Sequence, residues 1–402
     1  MHAIRLHAFG PAENLVYETV EDPQPGAGQV RIAVAAAGVH LLDTAIRQGD
    51  KGPYPELPVL PTIPGREVAG TVESVGAGVS ADWLGKRVVT HIGFAPGGYA
   101  ELTVADVSRL HELPDGLGFG EAVALIGTGR TAMGILQFVE LDGRSVVVVP
   151  AAAGGIGTLL VQYAKHAGAT VVGLAGGEAK VARVRANGAD LAVDYTAAGW
   201  PETVRAFLDG LDDSDSLNRH DAPAAPTEPA DPSGPAGPAG PAGPAGPASP
   251  AAPASPAAPA SPAAPAPPSS LHAPDTLDQD GQRAVTHVLD GVGGPTGRAA
   301  VDLLGTGGTH VTFGWSAKEG PAELSEDERA ARGITQINPL GQAMLAKAGG
   351  ENPLRALELA ALRAYAGGYF TPTVQRFPLA EAASAHRALE TRGTSGKVVL
   401  IP

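Results

Sequence analysis

Residues 146–173, VVVVPAAAGGIGTLLVQYAKHAGATVVG, constrain the fold more than any other stretch. Four consecutive valines have the apolar continuity of a strand buried on both faces. Seven residues with little side chain follow, Ala151-Ala152-Ala153-Gly154-Gly155-Ile156-Gly157, then a helical pattern and a second valine pair. Ala152-x-Gly154-x-x-Gly157 has the spacing of the dinucleotide-binding fingerprint, with alanine at its first position. In that reading Gly154 lets the backbone approach a pyrophosphate and Gly157 lets the helix pack closely on the strand. The amides of Gly155, Ile156 and Gly157 at the helix start, with its dipole, attract the phosphates. Ile156, Leu159, Leu160, Tyr163, Ala164 and Ala167 form the stripe that buries the helix, and Gly168 can end it. A tight strand-to-helix turn needs glycine even without a ligand; the strands and helices around this one favour the nucleotide.

Those repeats are regular. TVVGLA, a helix over Lys180–Asn187, LAVDY, AVTHVLDGVG and THVTFG continue the alternation. They predict a parallel sheet with crossover helices. The first 125 residues have another rhythm. Gln29–Ala37 puts Val30, Ile32 and Val34 on one face, and Glu67–Val79 and Lys86–His91 continue a period of two between Gly-rich turns. The expected fold class is therefore α/β, with an all-β domain ahead of a doubly wound parallel sheet. One segment fits neither half. Residues 221–280 hold 18 of the 37 prolines, in runs such as GPAGPAGPA and SPAAPASPAAP. With so little to bury, residues 212–282 are expected to be a disordered insertion between a helix ending near Gly210 and a strand starting near Ala284. It reads as a spacer or as a docking segment for a proline-reading protein partner.

Composition closes several routes. With no cysteine, there is no disulfide, thiolate zinc site or cysteine nucleophile. No run approaches the length of a membrane span and the N-terminus lacks a signal-peptide pattern, so the expected location is cytoplasmic. A net charge of -14 opposes nucleic acid and anionic lipid, leaving an anionic ligand to a local cluster of cations and amides.

The end of the second strand bears on the choice of cofactor. Leu174-Ala175-Gly176-Gly177 carries no acid to bind a ribose 2′-hydroxyl, Lys180 follows, and Tyr195 closes the third strand. A cation and a phenol suit a 2′-phosphate, which favours NADPH. Lys180 also reads as a solvated helix lysine, and Glu178 as a competing ribose ligand.

GVHLLDTAIRQG (38–49), PTIPGREVAGTVESVGAGV (61–79), GKRVV (85–89), GGYAE (97–101), the fingerprint, VLDGVGG (288–294) and the final TSGKVVLIP occur in an order that resembles the medium-chain dehydrogenase/reductase superfamily. The likeness is to its zinc-free quinone oxidoreductase, zeta-crystallin-like branch. It implies a GroES-like β-barrel catalytic domain over 1–125, completed by 369–402, and a Rossmann NADP-binding domain over 126–368. The cofactor would lie in the cleft between them. The zinc alcohol dehydrogenases carry a cysteine in the segment matching GVHLLD and a histidine in PGHE. Here there is no cysteine, and Arg66 replaces that histidine. Scattered histidines 40, 91 and 111 read as ordinary polar residues, so no metal is expected. The resemblance places His40, where asparagine is usual, beside the nicotinamide, and Tyr54 near the nicotinamide and acceptor. Tyr54 reads equally as a cover for apolar surface. By the same matching Thr131, Val292, Phe313, Gly314 and Ser316 follow the cofactor, and Arg392 supports its 2′-phosphate. A homodimer is implied by analogy.

The expected activity is NADPH-dependent hydride transfer to a quinone or α,β-unsaturated carbonyl, a small-molecule electron acceptor, without zinc. His40 and Tyr54 are the candidate catalytic residues, since either could help protonate the product. Two alternatives stand beside it: an enoyl-thioester reductase of the same superfamily, and a non-catalytic NADPH-binding protein whose insertion recruits a partner.

Overall fold

In the computed structural model the described residues are 1–52, 56–93, 97–220, 283–314, 316, 317 and 319–402, with backbone alone for 212–220. They divide into two units, Met1–Asp212 with Ala273–Pro402, and Asp213–His272. The architecture below is that of the first.

Six parallel strands form one sheet, in the spatial order Leu191–Asp194, Thr170–Ala175, Val146–Val149, Val285–Asp290, Leu304–Thr312, Thr335–Ile337. In chain order this is 3-2-1-4-5-6, the doubly wound arrangement, whose strand order reverses beside Val146–Val149. The valines are fully buried because helices cover both faces of the sheet, so no alternation was available in the sequence. Helix Gly155–His166 buries Leu159, Leu160, Val161 and Ala164 against it. Its close approach fixes Gly157: a β-carbon there would lie 2.3 Å from the Ala151 carbonyl oxygen. The sixth strand, only three residues long, gave too short a pattern to be read from the sequence.

A seven-stranded sheet makes the β-rich part, in the order Val374–Pro378, Lys397–Ile401, Gln29–Val39, Glu67–Val75, Arg87–His91, His111–Glu112, with Leu102–Asp106 also on Gln29–Val39. Its pairs are antiparallel except the first. The last strand of the chain pairs Val398, Val399 and Leu400 with Val39, Gly38 and Ala37. Alternate residues of Gln29–Val39 enter a core with Ile4, Val68, Val88 and Tyr99.

The helix expected to stop near Gly210 runs Trp200–His220, so residues 212–220 of the predicted insertion continue it. No proline interrupts the chain between Pro201 and Pro223. From residue 221 to 282 the expected insertion lies outside the described residues.

Among the buried histidines of the described residues are His287, within the parallel sheet, and His386, in the helix Ala382–Glu390. Burial lowers each from 6.5 to about 4, so both are neutral at pH 7. The unfolded chain therefore takes up protons below pH 6.5 that the folded chain refuses, and stability falls with pH in that window. Each histidine contributes up to about 3 kcal/mol of that loss. Urea unfolding followed from pH 7 to 5, where exposed carboxylates stay ionised, should show a falling midpoint. A flat profile would contradict it.

Candidate functional site

Where the strand order reverses, a cleft of about 350 Å³ opens between the fingerprint and the start of the helix Leu41–Gln48. Its floor is the small-residue turn. Gly154 caps the helix with an extended backbone, and the amides of the first helical turn have no partner within the helix. Two non-glycine residues take a left-handed backbone among the described residues, Ala151 (φ 55°) and Arg392 (φ 56°), and both line the cleft. Such conformations persist only where surrounding contacts impose them. Here the Gly154 N–H donates to the Ala151 carbonyl (2.9 Å), and the Gly396 N–H donates to the Ala153 carbonyl (2.9 Å). The second bond stitches the C-terminal segment onto the fingerprint turn.

At the end of the second parallel strand lie Gly176, Lys180, Tyr195 and Arg392. Lys180 Nζ donates to the Arg392 carbonyl (2.5 Å), and the Arg392 guanidinium reaches the Ser316 carbonyl. Partial burial and the Arg392 charge both lower the Lys180 pKa, as expected of two cations held together. Among the described residues the cleft wall contains Lys180, Arg392 and Lys397 and no carboxylate, although the chain carries a net charge of -14. Glu178 is exposed and lies outside the lining.

Of the residues expected from the sequence, His40, Thr131, Gly154, Gly155, Ile156, Gly157, Lys180, Tyr195, Phe313, Ser316 and Arg392 meet in this lining. Val292 and Gly314 do not. Val292 is buried, its N–H turned to Asp290 Oδ1 (2.8 Å), and the turn so formed presents Gly291 to the cleft instead. Gly314 packs against the Gly291 backbone. Tyr54 lies outside the described residues. His91 and His111 are away from the lining; His91 is lowered to about 4, chiefly by burial, and His111 pairs with Glu358 (2.9 Å).

Sequence reading missed a buried cluster behind His40. Glu67 Oε2, His40 Nε2 and Lys397 Nζ form a triangle with sides of 2.5 Å (Glu67–His40), 2.7 Å (Lys397–His40) and 3.0 Å (Lys397–Glu67). Side-chain exposure is 1% for Glu67, 4% for Lys397 and 31% for His40, so the triangle is dry on one side and open to the cleft on the other. Burial opposes ionisation of Glu67, yet His40, which is hydrogen-bonded to it, and the Lys397 ammonium hold its carboxyl well below the usual range. Lys397 is lowered by burial, with Glu67 opposing the shift. A π-helical turn, Leu125–Gly129, wraps the carboxylate, and a side chain on Gly127 would strike both its oxygens. Arg130 stands 4.0 Å from Glu67 Oε1 and bonds Glu358 (3.2 Å). On the other side of His40, Asp43 accepts from the His40 backbone N–H (2.8 Å), Arg66 (2.9 Å) and the Tyr99 hydroxyl (3.2 Å). The available signals were faint: a lone glutamate heading the apolar run Glu67–Val72, and a lone lysine heading Lys397–Ile401.

The cluster does not fit a zinc ion. The histidine and glutamate face each other at 2.5 Å with an amine filling the third corner, and no three metal-ligating side chains converge among the described residues.

Comparison with known proteins places this geometry. Residues 26–115 match the alcohol dehydrogenase GroES-like domain family, and residues 155–214 and 269–400 match two zinc-binding dehydrogenase families. A quinone oxidoreductase of Pseudomonas aeruginosa is 36% identical over 208 residues, 52% of this chain and 62% of that protein. A 2-haloacrylate reductase of a Burkholderia species is 34% identical over 209 residues, again 62% of its length. The matches thus span less than two thirds of these relatives. A mycobacterial protein solved in complex with NADPH superposes with a TM-score of 0.67 at 28% identity, covering 100% of both chains. An Escherichia coli quinone oxidoreductase, at 23% identity and a TM-score of 0.69, shares the fold.

Removing one member of a buried ion pair strands its partner. Glu67→Gln should cost about 3–5 kcal/mol of stability, and the Glu67→Gln/Lys397→Met double variant should cost less than the sum of the two single changes. Urea denaturation of the four proteins measures this; strictly additive losses would deny the pairing.

Proposed function

The chain belongs to the medium-chain dehydrogenase/reductase superfamily, and from that premise we propose that it is an NADPH-dependent oxidoreductase that passes hydride to a quinone or an α,β-unsaturated carbonyl compound. One observation carries the reading: the cationic end of the cleft at Lys180, Tyr195 and Arg392, beside the fingerprint turn, where the described lining holds no carboxylate. A 2′-phosphate brings negative charge to that place, where a plain ribose would call for a carboxylate. The names of the similar proteins support the acceptor class, and the NADPH complex of the mycobacterial neighbour supports the cofactor.

Bound NADPH would supply the hydride. The chain's own work is to hold and orient. The helix-start amides of Gly155, Ile156 and Gly157 would hold the diphosphate, and Lys180, Tyr195 and Arg392 the 2′-phosphate. Thr131, whose hydroxyl donates back to the Gly127 carbonyl (3.1 Å), lines the wall with Phe313 and Ser316. His40 and Lys397 border the part of the cleft formed by the seven-stranded sheet, the place left for the nicotinamide and acceptor. Tyr54 is proposed on the acceptor side.

Calorimetry should show NADPH binding at least about 10-fold tighter than NADH, as two charge-assisted contacts allow. Arg392→Ala should weaken NADPH about 10-fold and NADH far less. NADPH absorbance should then fall with at least one quinone or enone. Absence of heat with either nucleotide, in folded protein, would defeat the proposal.

A further inference from the structure

Resting on that reading, we propose that Lys397, Glu67 and His40 form a proton relay that serves acceptors reduced at carbon, with His40 as the group that touches the acceptor and Lys397 as the proton reservoir behind it. A static ion pair would need only Lys397 and Glu67. Instead His40 Nε2 lies within hydrogen-bond reach of both, 2.7 Å from Nζ and 2.5 Å from Oε2. A single ring nitrogen either accepts from the ammonium or donates to the carboxylate; it cannot do both. The triangle therefore has two proton arrangements that differ by one transfer between Lys397 and His40. Glu67 stays a carboxylate in each and stabilises whichever neighbour carries the charge. Among the described residues, Arg130 at 4.0 Å from Glu67 and Asp43 on the His40 backbone are further charged groups beside the triangle. Burial favours the uncharged amine, which is what a proton-giving lysine must become.

The step balances. Bound NADPH would supply a hydride, with its electron pair, to the β-carbon of an enone, and the alkene pair would move to the α-carbon and carbonyl oxygen as an enolate. His40 would give its Nδ1 proton to the α-carbon while Nε2 takes one from the Lys397 ammonium, so the ring ends as the other neutral tautomer. The cluster starts as ammonium and neutral imidazole and ends as amine and neutral imidazole. Water at the exposed edge of His40 returns the proton after product leaves. A quinone makes no such demand, because its reduction leaves an oxyanion that water protonates directly.

The test compares wild type, His40→Asn and Lys397→Met with two acceptors, a benzoquinone and an α,β-unsaturated ketone. NADPH affinity is measured for each protein, so that lost cofactor binding is separated from lost proton transfer. The enone rate should fall about 100-fold further than the quinone rate in His40→Asn, as for loss of a general acid. Lys397→Met should show the same skew, and His40→Asn, at the more exposed position, keeps the test alive if it misfolds. Carbon-13 NMR of lysine side chains, without nucleotide, provides a readout independent of turnover. The Lys397 signal, identified by its absence from Lys397→Met, should titrate below the other lysines and lower still in Glu67→Gln. Parallel losses on both acceptors, or a Lys397 that titrates with the surface lysines, overturn the relay. If wild type consumes NADPH with neither acceptor, the proposed function fails, and the lysine titration alone decides whether the triangle exchanges protons.

Discussion

A short C-terminal segment, Arg392–Val398, holds the structure and its cleft together. The strand it leads into lies between Val374–Pro378 and Gln29–Val39 in the seven-stranded sheet, while Gly396, one residue earlier, bonds the fingerprint turn of the parallel sheet. Arg392 reaches the Ser316 loop, and Lys397 turns inward to Glu67. Seven residues thus join both sheets and furnish five cleft residues, Arg392, Thr394, Gly396, Lys397 and Val398. The left-handed backbone of Arg392 is the local cost of that path.

Charge is distributed against the average of the chain. A molecule with a net charge of -14 concentrates cations where phosphate would be held, and keeps carboxylates out of that wall among its described residues. Overall charge governs solubility and long-range attraction, whereas a cleft is ruled by the few groups that face it. Buried charge follows the same local rule. Glu67 is tolerated inside the protein because His40, Lys397 and Arg130 surround it and Gly127 leaves room for its oxygens. Without those partners its desolvation would force it neutral.

The same arrangement separates this site from a zinc centre. Nitrogen and oxygen atoms of the kinds that bind zinc are present, but they contact each other directly and an amine fills the third corner. The family descriptions that mention zinc therefore agree with the fold of this chain and not with the chemistry of its cluster.

By itself, the sequence determined whatever depends on near neighbours. Valine continuity, the Ala152-x-Gly154-x-x-Gly157 spacing and the period of Val30, Ile32 and Val34 announced both sheets and the glycine-rich turn, because each encodes its packing within a few residues. Lys180 and Tyr195 were legible from their distance past the second strand; Arg392 came from family likeness. Only the tertiary structure decided the rest. Glu67 and Lys397 are 330 positions apart, and Lys397 and His40 are 357 apart, so no local pattern could pair them. Val292 gave its expected place to Gly291 because Asp290 bends the loop by binding the backbone. The physical reason is range: strand and helix follow from contacts along the chain, but a buried charge acquires its meaning only when folding delivers its partners from elsewhere.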